Sequence, residues 1–236
     1  MIVLLDRRDG GGGQGLTLAD GEEHHLRVRR ACEGDRVEVR DGKGLVGTGR
    51  LMRRDRRWIV EIEASSVTPR PPGLALAVGA GDRERFEWLV EKATELGVTA
   101  VLPVETEFSA AVASRVRPQH TGRLRRRALE ALKQCGAAWV PDIPDPVPLA
   151  AVLAREWDGE QWLADPAGAA PAGSPAPVIV LIGPEGGLTA TERADAVAAG
   201  YQPVRFGRNV LRFETVALAA AALAAANPRA PGGING

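Results

Sequence analysis

The spacing of apolar and polar positions changes at about residue 70, and this change predicts two kinds of structure. After residue 70, short apolar runs alternate with segments whose apolar residues recur at helical spacing. The predicted strands are 74–78, 98–104, 139–143, 161–164, 178–182 and 203–206, and the predicted helices are 82–96, 118–135 and 214–226. Residues 166–177, rich in Ala and Pro, are predicted to form a flexible loop. Because strands and helices alternate, we expect a parallel sheet covered by helices.

The first part of the chain shows β-type patterns instead. Short runs of β-forming residues occupy 2–5, 36–40 and 58–63, and a hairpin turn, Asp41-Gly42-Lys43-Gly44, leads into a further strand at 45–51. One helical turn is predicted at 22–31. These patterns predict a small β-barrel. The stiff segment Pro69-Arg70-Pro71-Pro72 cannot donate to a sheet, so we expect one domain at residues 1–70 and another at 71–236.

Residues 178–192, VIVLIGPEGGLTATE, combine a predicted strand, a glycine turn and a helix start. The apolar run suits a strand buried on both faces, and Pro184 with the neighbouring glycines cannot continue it. Thr189 and Glu192 form a capping box that predicts the start of a helix. This layout can present backbone donors to a small polar ligand. It can also serve packing alone, and the turn by itself leaves both readings open.

A second loop, residues 207–215, follows the last predicted strand. Ligands of parallel sheets bind at the carboxyl ends of the strands, so this loop and the glycine turn could enclose one adenosine-sized molecule. No lysine of the Walker type follows the glycines, and the GxGxxG spacing is absent. Neither a P-loop nor a dinucleotide-binding site therefore fits.

The composition is that of an ordinary globular protein, with 236 residues, 44% of them hydrophobic and 25% charged. We expect no membrane span, because the longest apolar stretch, 211–226, is short and contains Arg212 and Glu214. We also expect no signal peptide. Cys32 and Cys135 are far apart, which favours small buried side chains in a reducing compartment over a disulfide or a zinc site. We therefore predict a cytoplasmic protein without a metal.

The formal net charge is zero, but the arginines are clustered. The clusters are Arg27, Arg29 and Arg30; Arg50, Arg53, Arg54, Arg56 and Arg57; and Arg115, Arg117, Arg123, Arg125, Arg126 and Arg127. The planar guanidinium suits phosphate oxygens, so such clusters can form an RNA surface on a neutral protein. A solvated face without a partner fits each cluster equally well.

Two motifs in order resemble the RsmE family of ribosomal RNA methyltransferases, which belongs to the SPOUT superfamily. They are Leu181-Ile182-Gly183-Pro184-Glu185-Gly186-Gly187-Leu188 and, about twenty residues on, Phe206-Gly207-Arg208-Asn209-Val210-Leu211-Arg212-Phe213-Glu214-Thr215. Further agreement lies in His24-His25-Leu26-Arg27-Val28 and in the helix that begins Glu87-Trp88-Leu89-Val90. The resemblance covers nearly the whole chain.

The resemblance implies a homodimer with an α/β fold: a C-terminal SPOUT-type parallel sheet with a deep trefoil knot, preceded by a small N-terminal PUA-like β-barrel that binds RNA. It implies transfer of a methyl group from S-adenosylmethionine to N3 of one uridine in 16S rRNA of the small ribosomal subunit. The residues implied to bind the methyl donor are Leu181, Ile182, Gly183, Pro184, Glu185, Gly186, Gly187, Leu188, Phe206, Gly207, Leu211 and Thr215. Those expected to contact RNA are Arg27, Arg29, Arg30, Arg83, Arg85 and Arg115.

The resemblance also places Arg212 and Glu214 at the methionine end of the donor and the target base. Uridine N3 is a poor nucleophile until its proton leaves, and a cationic Arg212 would favour the resulting anion. Glu214 is a candidate general base, but stabilisation of the helix dipole by an acidic first-turn residue is the favoured interpretation. No general base is evident from the residues, and the chemistry requires no metal.

The chain departs from the family at positions that are usually basic. Phe108 follows Thr106-Glu107 and Ala137 follows Gln134-Cys135-Gly136, where the family commonly has arginine. These losses concern phosphate contacts more than donor binding. They leave open a methyltransferase that acts on a different RNA site. A second alternative, a non-catalytic RNA-binding protein, would explain the predicted barrel and the arginine clusters but gives the paired loops no purpose.

Overall fold

The structure, a computed structural model, describes residues 1–6, 16–19, 21–55, 57–171 and 177–226. The chain forms two compact units. The first comprises Met1–Arg70 together with Leu132–Val140, and the second comprises Pro71–Ala131 and the chain from Pro141 onward. Two features predicted from the sequence lie partly outside the described residues. They are the arginine cluster at residues 50–57, of which Arg56 is not described, and the predicted loop, of which residues 172–176 are not described.

The described residues of the first unit form a five-stranded mixed sheet, one complete helix and the last turn of another. Its elements are β1 (Ile2–Leu4), β2 (Leu16–Thr17), α1 (Glu22–Val28), β3 (Arg36–Arg40), β4 (Leu45–Arg54) and β5 (Arg57–Val67). The sheet order is β1-β3-β4-β5-β2, and only the β1–β3 pair is parallel. The two edge strands also meet, because Leu5 forms an antiparallel bridge with Leu18.

The segment Leu132–Val140 joins this first unit through polar contacts. Glu22 is buried, accepts a hydrogen bond from the Leu4 amide, and pairs with the Lys133 ammonium at 2.7 Å. Trp139 donates from its indole nitrogen to the carbonyl of Thr68. These contacts satisfy a buried carboxylate and an indole N–H, which would otherwise destabilise the unit.

The second unit is built on a six-stranded sheet in which every pair is parallel. The strands are β6 (Leu74–Gly79), β7 (Ala100–Glu105), β8 (Val147–Pro148), β9 (Glu160–Ala169), β10 (Val178–Ile182) and β11 (Gln202–Val204), in the order β11-β9-β10-β6-β7-β8. The helices are α2 (Arg83–Glu95), α3 (Glu107–Ala110), α4 (Thr121–Cys135, whose last turn belongs to the first unit), α5 (Leu149–Leu153), α6 (Ala190–Ala198) and α7 (Phe213–Ala226). The predicted parallel α/β sheet is confirmed.

The two central strands and the first helix of this unit lie close to where the sequence predicted them. Every residue of β6 and of β10 is buried, as expected for strands covered on both faces. Asp82 begins α2 as its N-cap, accepting from the amides of Glu84 and Arg85. The helix ends before Gly97, whose φ of +75° is the left-handed conformation that glycine adopts at little cost.

The predicted flexible loop at 166–177 is wrong over its first part, because β9 continues to Ala169. Here β9 no longer pairs with β10, whose ladder ends at Leu163, and pairs with β11 instead. A Cβ atom at Gly168 would lie 2.5 Å from the carbonyl carbon of Pro203, so the close pairing of these strands depends on glycine. The missing donor of Pro166 is tolerated at this register shift.

Three further predictions need correction. The predicted strand 139–143 is not a strand: Trp139 and Asp142 form only isolated bridges, and Pro141 between them has no backbone donor. The predicted helix 118–135 begins with a short 3-10 turn, Pro118–His120, before α4. Cys32 and Cys135 are free but exposed, so their expected burial is wrong. No helix among the described residues is long and apolar enough to span a membrane.

Candidate active site

A cavity of about 630 Å³ lies at the carboxyl ends of β9, β10 and β11. It is enclosed mainly by the turn after β10 and the loop after β11. The lining residues are Arg85, Leu163, Ala164, Asp165, Pro166, Ile182, Gly183, Pro184, Glu185, Gly186, Gly187, Leu188, Arg193, Val204, Arg205, Phe206, Gly207, Asn209, Val210, Leu211, Arg212, Phe213 and Val216. The wall combines the backbone and apolar side chains of the two loops with charged side chains, which are Arg85, Asp165, Glu185, Arg193, Arg205 and Arg212. A ligand with a flat apolar part and polar ends suits such a wall.

The turn after β10 is closed very tightly. A Cβ atom at Gly183 would lie 2.6 Å from the carbonyl carbon of Gly187, closer than real side chains come. The Gly187 amide donates to the carbonyl of Pro184 at 2.8 Å, and the φ of Gly187 is +75°. The turn therefore requires glycine at both positions, one for space and one for conformation.

Glu185 anchors this turn to the start of α2. Its Oε1 accepts a hydrogen bond from the amide of Asp82 at 2.9 Å. Asp82 in turn accepts from the Ser114 hydroxyl, and this hydrogen bond is the main reason why the pKa of Asp82 is lowered. The carboxylate of Glu185 is thus used by a neighbouring amide. It fixes the position of the turn, although it also borders the cavity.

The predicted capping box of α6 is present and does more than cap one helix. Glu192 donates from its amide to the Thr189 hydroxyl at 3.2 Å, and its Oε2 accepts from the Thr189 amide. Its Oε1 accepts from the amide of Glu107, the first residue of α3. One carboxylate therefore links two helix starts and satisfies the amides of Glu107 and Thr189.

The loop after β11 forms the opposite wall. A Cβ atom at Gly207 would lie 2.9 Å from the Leu211 side chain, so Leu211 folds back over the glycine. The Phe206 ring packs against Trp162 of β9, with centroids 5.9 Å apart. Phe213 begins α7 and packs against Phe86 of α2. These contacts hold the apolar side of the cavity in place.

Arg212 and Glu214 occupy different environments. Arg212 is exposed and borders the cavity. Glu214 is only 9% exposed, and its Oε1 lies 3.4 Å from Nη1 of Arg85, itself a lining residue. Its Oε2 has no hydrogen-bond partner within the described part of the chain. The ion pair with Glu214 positions the Arg85 side chain at the edge of the cavity, and Glu214 itself does not line the cavity.

Most of the expected donor-binding residues come together in this cavity. Two do not line it: Leu181 is fully buried and Thr215 is exposed. Sequence reasoning missed Asp165 and Arg193, which form an ion pair at the cavity edge, with the Asp165 carboxylate almost fully buried. Asp165 lies directly before the stretch 166–177 that was interpreted as a loop, so only its position directly after an apolar run could have indicated it.

The arginines expected to contact RNA fall into two groups. Arg83 lies 3.9 Å from Glu87, Arg85 pairs with Glu214, and Arg115 donates to the carbonyl of Ala110. These three guanidinium groups therefore have partners within the second unit. Arg27, Arg29 and Arg30 are exposed at the end of α1, and Arg27 and Arg30 border a separate cavity of the first unit.

Comparisons with known proteins agree with this geometry. Residues 68–225 match the family described as RNA methyltransferase domain. The chain is 32% identical over 222 residues to ribosomal RNA small subunit methyltransferase E of Synechocystis sp., covering 86% of this chain and 71% of that protein. It is 31% identical over 232 residues to the Mycobacterium bovis protein of the same name, covering 87% and 84%. The fold is similar to that of a ribosomal RNA small subunit methyltransferase E from Neisseria gonorrhoeae bound to S-adenosylmethionine, with a TM-score of 0.80, 27% identity, and coverage of 94% and 96%.

Proposed function

We infer the function from one premise, that the chain belongs to the ribosomal RNA small subunit methyltransferase E family of RNA methyltransferases. We propose that it transfers a methyl group from S-adenosylmethionine to N3 of a uridine in 16S rRNA of the small ribosomal subunit. The observation that carries the proposal is the cavity between the glycine turn after β10 and the loop after β11. A neighbouring fold at 27% identity carries the same donor.

The residues of the cavity fit this donor. Its volume of about 630 Å³ lies in the range of about 300–1,000 Å³ that is usual for small-molecule sites. Gly183 and Gly187 allow the tight backbone turn that borders the cavity, and Leu188, Leu211 and Val216 offer apolar surface to an adenine ring. We propose that the backbone of residues 182–188 and of Phe206 and Gly207 holds the adenosine.

Arg212 has the main catalytic role in the proposed reaction. S-adenosylmethionine supplies an electrophilic methyl group on a positively charged sulfur. Uridine N3 loses its proton to solvent and forms a bond to the methyl carbon while the carbon–sulfur bond breaks. The exposed Arg212 guanidinium at the cavity edge would stabilise the uridine anion, which exists only after the proton has left.

We assign Glu214 a positioning role. Its carboxylate is buried and paired with Arg85, and it occupies the first turn of α7, where a negative charge interacts favourably with the helix dipole. A general base must reach the proton that it removes, and Glu214 does not line the cavity. Its role as a base is therefore the weaker of the two hypotheses.

The finer features of the family complete the proposal. We propose that the first unit is a closed PUA-like barrel, which the bridge between Leu5 and Leu18 supports. We propose a trefoil knot in the second unit, where the chain after β10 passes β9 to form β11. The homodimer and the cytoplasmic location are proposed from the family alone.

A second candidate is methylation of a different RNA site. Phe108, at a position where the family commonly has arginine, is 40% exposed and packs against the glycine turn: a Cβ atom at Gly186 would lie 3.0 Å from its Cβ. The rim of the donor site therefore offers an aromatic face where relatives offer a charge. Such a change alters RNA contacts without altering the adenosine loops.

Calorimetry with S-adenosylmethionine separates an enzyme from an RNA-binding protein without catalysis. We expect saturable binding of S-adenosylmethionine at one site per chain, and the absence of binding would refute the proposed methyltransferase activity. Incubation of the purified protein with donor and unmodified small subunits, followed by mass spectrometry of the RNA, then identifies the product. Methyl transfer to a base other than uridine, or to a different uridine, would favour the second candidate.

A further inference from the structure

The first unit contains a cavity of about 460 Å³ between α1 and the β4–β5 hairpin. Its wall consists of Glu23, Leu26, Arg27, Arg30, Ala31, Arg53 and Trp58. Glu23, Leu26, Arg27 and Arg30 recur at helical spacing, so they share one face of α1 and its end. The volume suits a ligand of the size of one nucleotide.

The hairpin contributes a stacked pair to the cavity. Arg53 of β4 and Trp58 of β5 are directly opposite in the strand register. The Arg53 guanidinium lies 4.5 Å from the centroid of the Trp58 ring, which is a cation–π contact. Trp58 also packs against the core of the first unit, so the ring is held in place. A flat group entering the cavity finds a fixed aromatic and guanidinium surface.

The backbone of Arg30 adopts a conformation that its residue type disfavours. Its φ is +53°, in the left-handed region. The Arg30 amide donates to the carbonyl of Arg27, and the Ala31 amide donates to the carbonyl of Leu26, which is the hydrogen-bond pattern of a Schellman motif with Arg30 at the position usually taken by glycine. Glycine would be more stable there. An arginine in this strained position points to a function for its side chain.

The charges around the cavity select the ligand class. Three exposed guanidinium groups and one carboxylate, that of Glu23, line it. Within the described ranges of the chain, the side chains of Arg27, Arg30 and Arg53 form no salt bridge. Guanidinium groups bind phosphate oxygens through paired hydrogen bonds, and the carboxylate can accept from a ribose hydroxyl or a base N–H.

We propose that this cavity binds one nucleotide of the RNA substrate, with its phosphate on Arg27 and Arg30 and its base on the Arg53–Trp58 stack. The identification of the ligand as RNA rests on the proposed function. The cavity would hold the RNA at a point separate from the methylated base. It therefore serves recognition and takes no part in the chemical step.

The test measures affinity for a fluorescent fragment of small-subunit rRNA at several salt concentrations. Arg27→Ala is expected to weaken binding about tenfold, the usual effect of losing a charge-assisted hydrogen bond. Arg53→Ala is expected to weaken binding by a similar factor, because the base loses the guanidinium half of its stacking surface. The salt dependence should also fall by about 0.7 to 0.9 for each lost phosphate contact. Trp58→Leu, which keeps apolar volume but removes the ring, should weaken binding about tenfold through lost stacking.

Arg54→Ala is the matched control. Arg54 is an exposed arginine of the same hairpin, beside Arg53 but outside the cavity wall. We expect its affinity to stay within about twofold of the unchanged protein. Equal losses in Arg53→Ala and Arg54→Ala would overturn the proposal, because they would indicate a diffuse charged surface.

Arg30→Gly separates binding from stability. Relief of the left-handed strain should raise the thermal midpoint by about 2–4 °C while RNA binding weakens about tenfold. A variant that is more stable and binds RNA as before would overturn the role of Arg30. A variant that binds less because it is unfolded is excluded by the same melting curve.

Competitors distinguish the sources of the ligand. Free uridine monophosphate and poly-glutamate should displace the RNA fragment only weakly. Strong displacement by the mononucleotide would identify a site for a free nucleotide, and strong displacement by poly-glutamate would identify a site for an acidic protein. Either result would overturn the proposal. Donor binding and methyl transfer by the unchanged protein are measured in parallel. If it transfers methyl groups but the cavity variants behave like Arg54→Ala, the inference fails and the proposed function stands. If it transfers none, the proposed function fails, and the RNA affinities of the cavity variants still test whether the cavity binds RNA.

Discussion

Gly183→Ala perturbs the glycine turn at its tightest point. The new Cβ atom would lie 2.6 Å from the carbonyl carbon of Gly187, 2.8 Å from its Cα and 2.9 Å from the amide nitrogen of Leu188. All three neighbours are backbone atoms, so no side chain can rotate away. Ordinary contact begins at 3.4 Å, and the turn must therefore open by about 0.8 Å.

Opening the turn has a cost that can be estimated. Overpacking of this kind destabilises a protein by about 1–3 kcal/mol. The same movement displaces the backbone proposed to hold the adenosine, and a loss of about 1.4 kcal/mol in binding is a tenfold weaker affinity. We therefore expect Gly183→Ala to bind S-adenosylmethionine at least tenfold more weakly, as measured by calorimetry.

Gly97→Ala serves as the control for general destabilisation. Gly97 ends α2 with a φ of +75°, and nothing lies within 4 Å of a Cβ atom there. The substitution costs about 1 kcal/mol through backbone conformation alone, and it should lower the thermal midpoint without changing donor affinity. If Gly183→Ala binds the donor as tightly as the unchanged protein, the turn does not hold the donor.

Three further predictions concern single side chains. Arg212→Ala should lower kcat at least tenfold and leave donor affinity within about threefold, as single-turnover kinetics and calorimetry would show; equal losses would contradict its role in stabilising the uridine anion. Burial raises the pKa of Tyr201, the only tyrosine, from 10.0 to about 12, so an ultraviolet titration of the folded protein should have its midpoint near 12, and one near 10 would contradict the burial. Because the unfolded tyrosine ionises first, stability should fall as pH rises above 10. Burial is also the main cause that lowers the pKa of His120 from 6.5, and its Nδ1 accepts from the Arg117 amide. Its neutral form therefore stabilises the fold above pH 6.5, and this contribution is lost as pH falls. In His120→Asn the amide oxygen can still accept a hydrogen bond but does not titrate. The thermal midpoint of this variant should therefore fall less between pH 6.5 and lower pH than that of the unchanged protein.

The elements that the sequence predicted well are those whose burial is complete or whose ends are marked. β6 and β10 read as apolar runs because both faces are covered. α2 and α6 begin at Asp82 and Thr189, whose side chains bond the first amides of their helices. In these places local chemistry and tertiary structure agree.

The elements that the sequence missed depend on distant partners. The continuation of β9 to Ala169 requires β11, more than thirty residues further along the chain, and no local pattern encodes that pairing. The strand predicted at 139–143 has the right composition but finds only single bridges. Burial of a short segment is decided by what packs on it, which composition alone does not report.

The candidate site shows the same division. The glycines of the turn were evident, because only special backbone conformations require them. The partner of Glu185 was not, since the amide of Asp82 lies 103 positions away in the sequence. The ion pair of Asp165 and Arg193 likewise joins two elements that the sequence does not connect. Family resemblance identified the loops, and only the structure showed what fixes them.

The most direct test of the central claim is the modification state of small-subunit RNA in cells that lack this protein. Mass spectrometry of the RNA should show loss of N3-methyluridine at one site in the deletion strain. The methyl group should return when the chain is supplied, and it should not return with Arg212→Ala. An unchanged N3-methyluridine content in the deletion strain would contradict the proposed substrate.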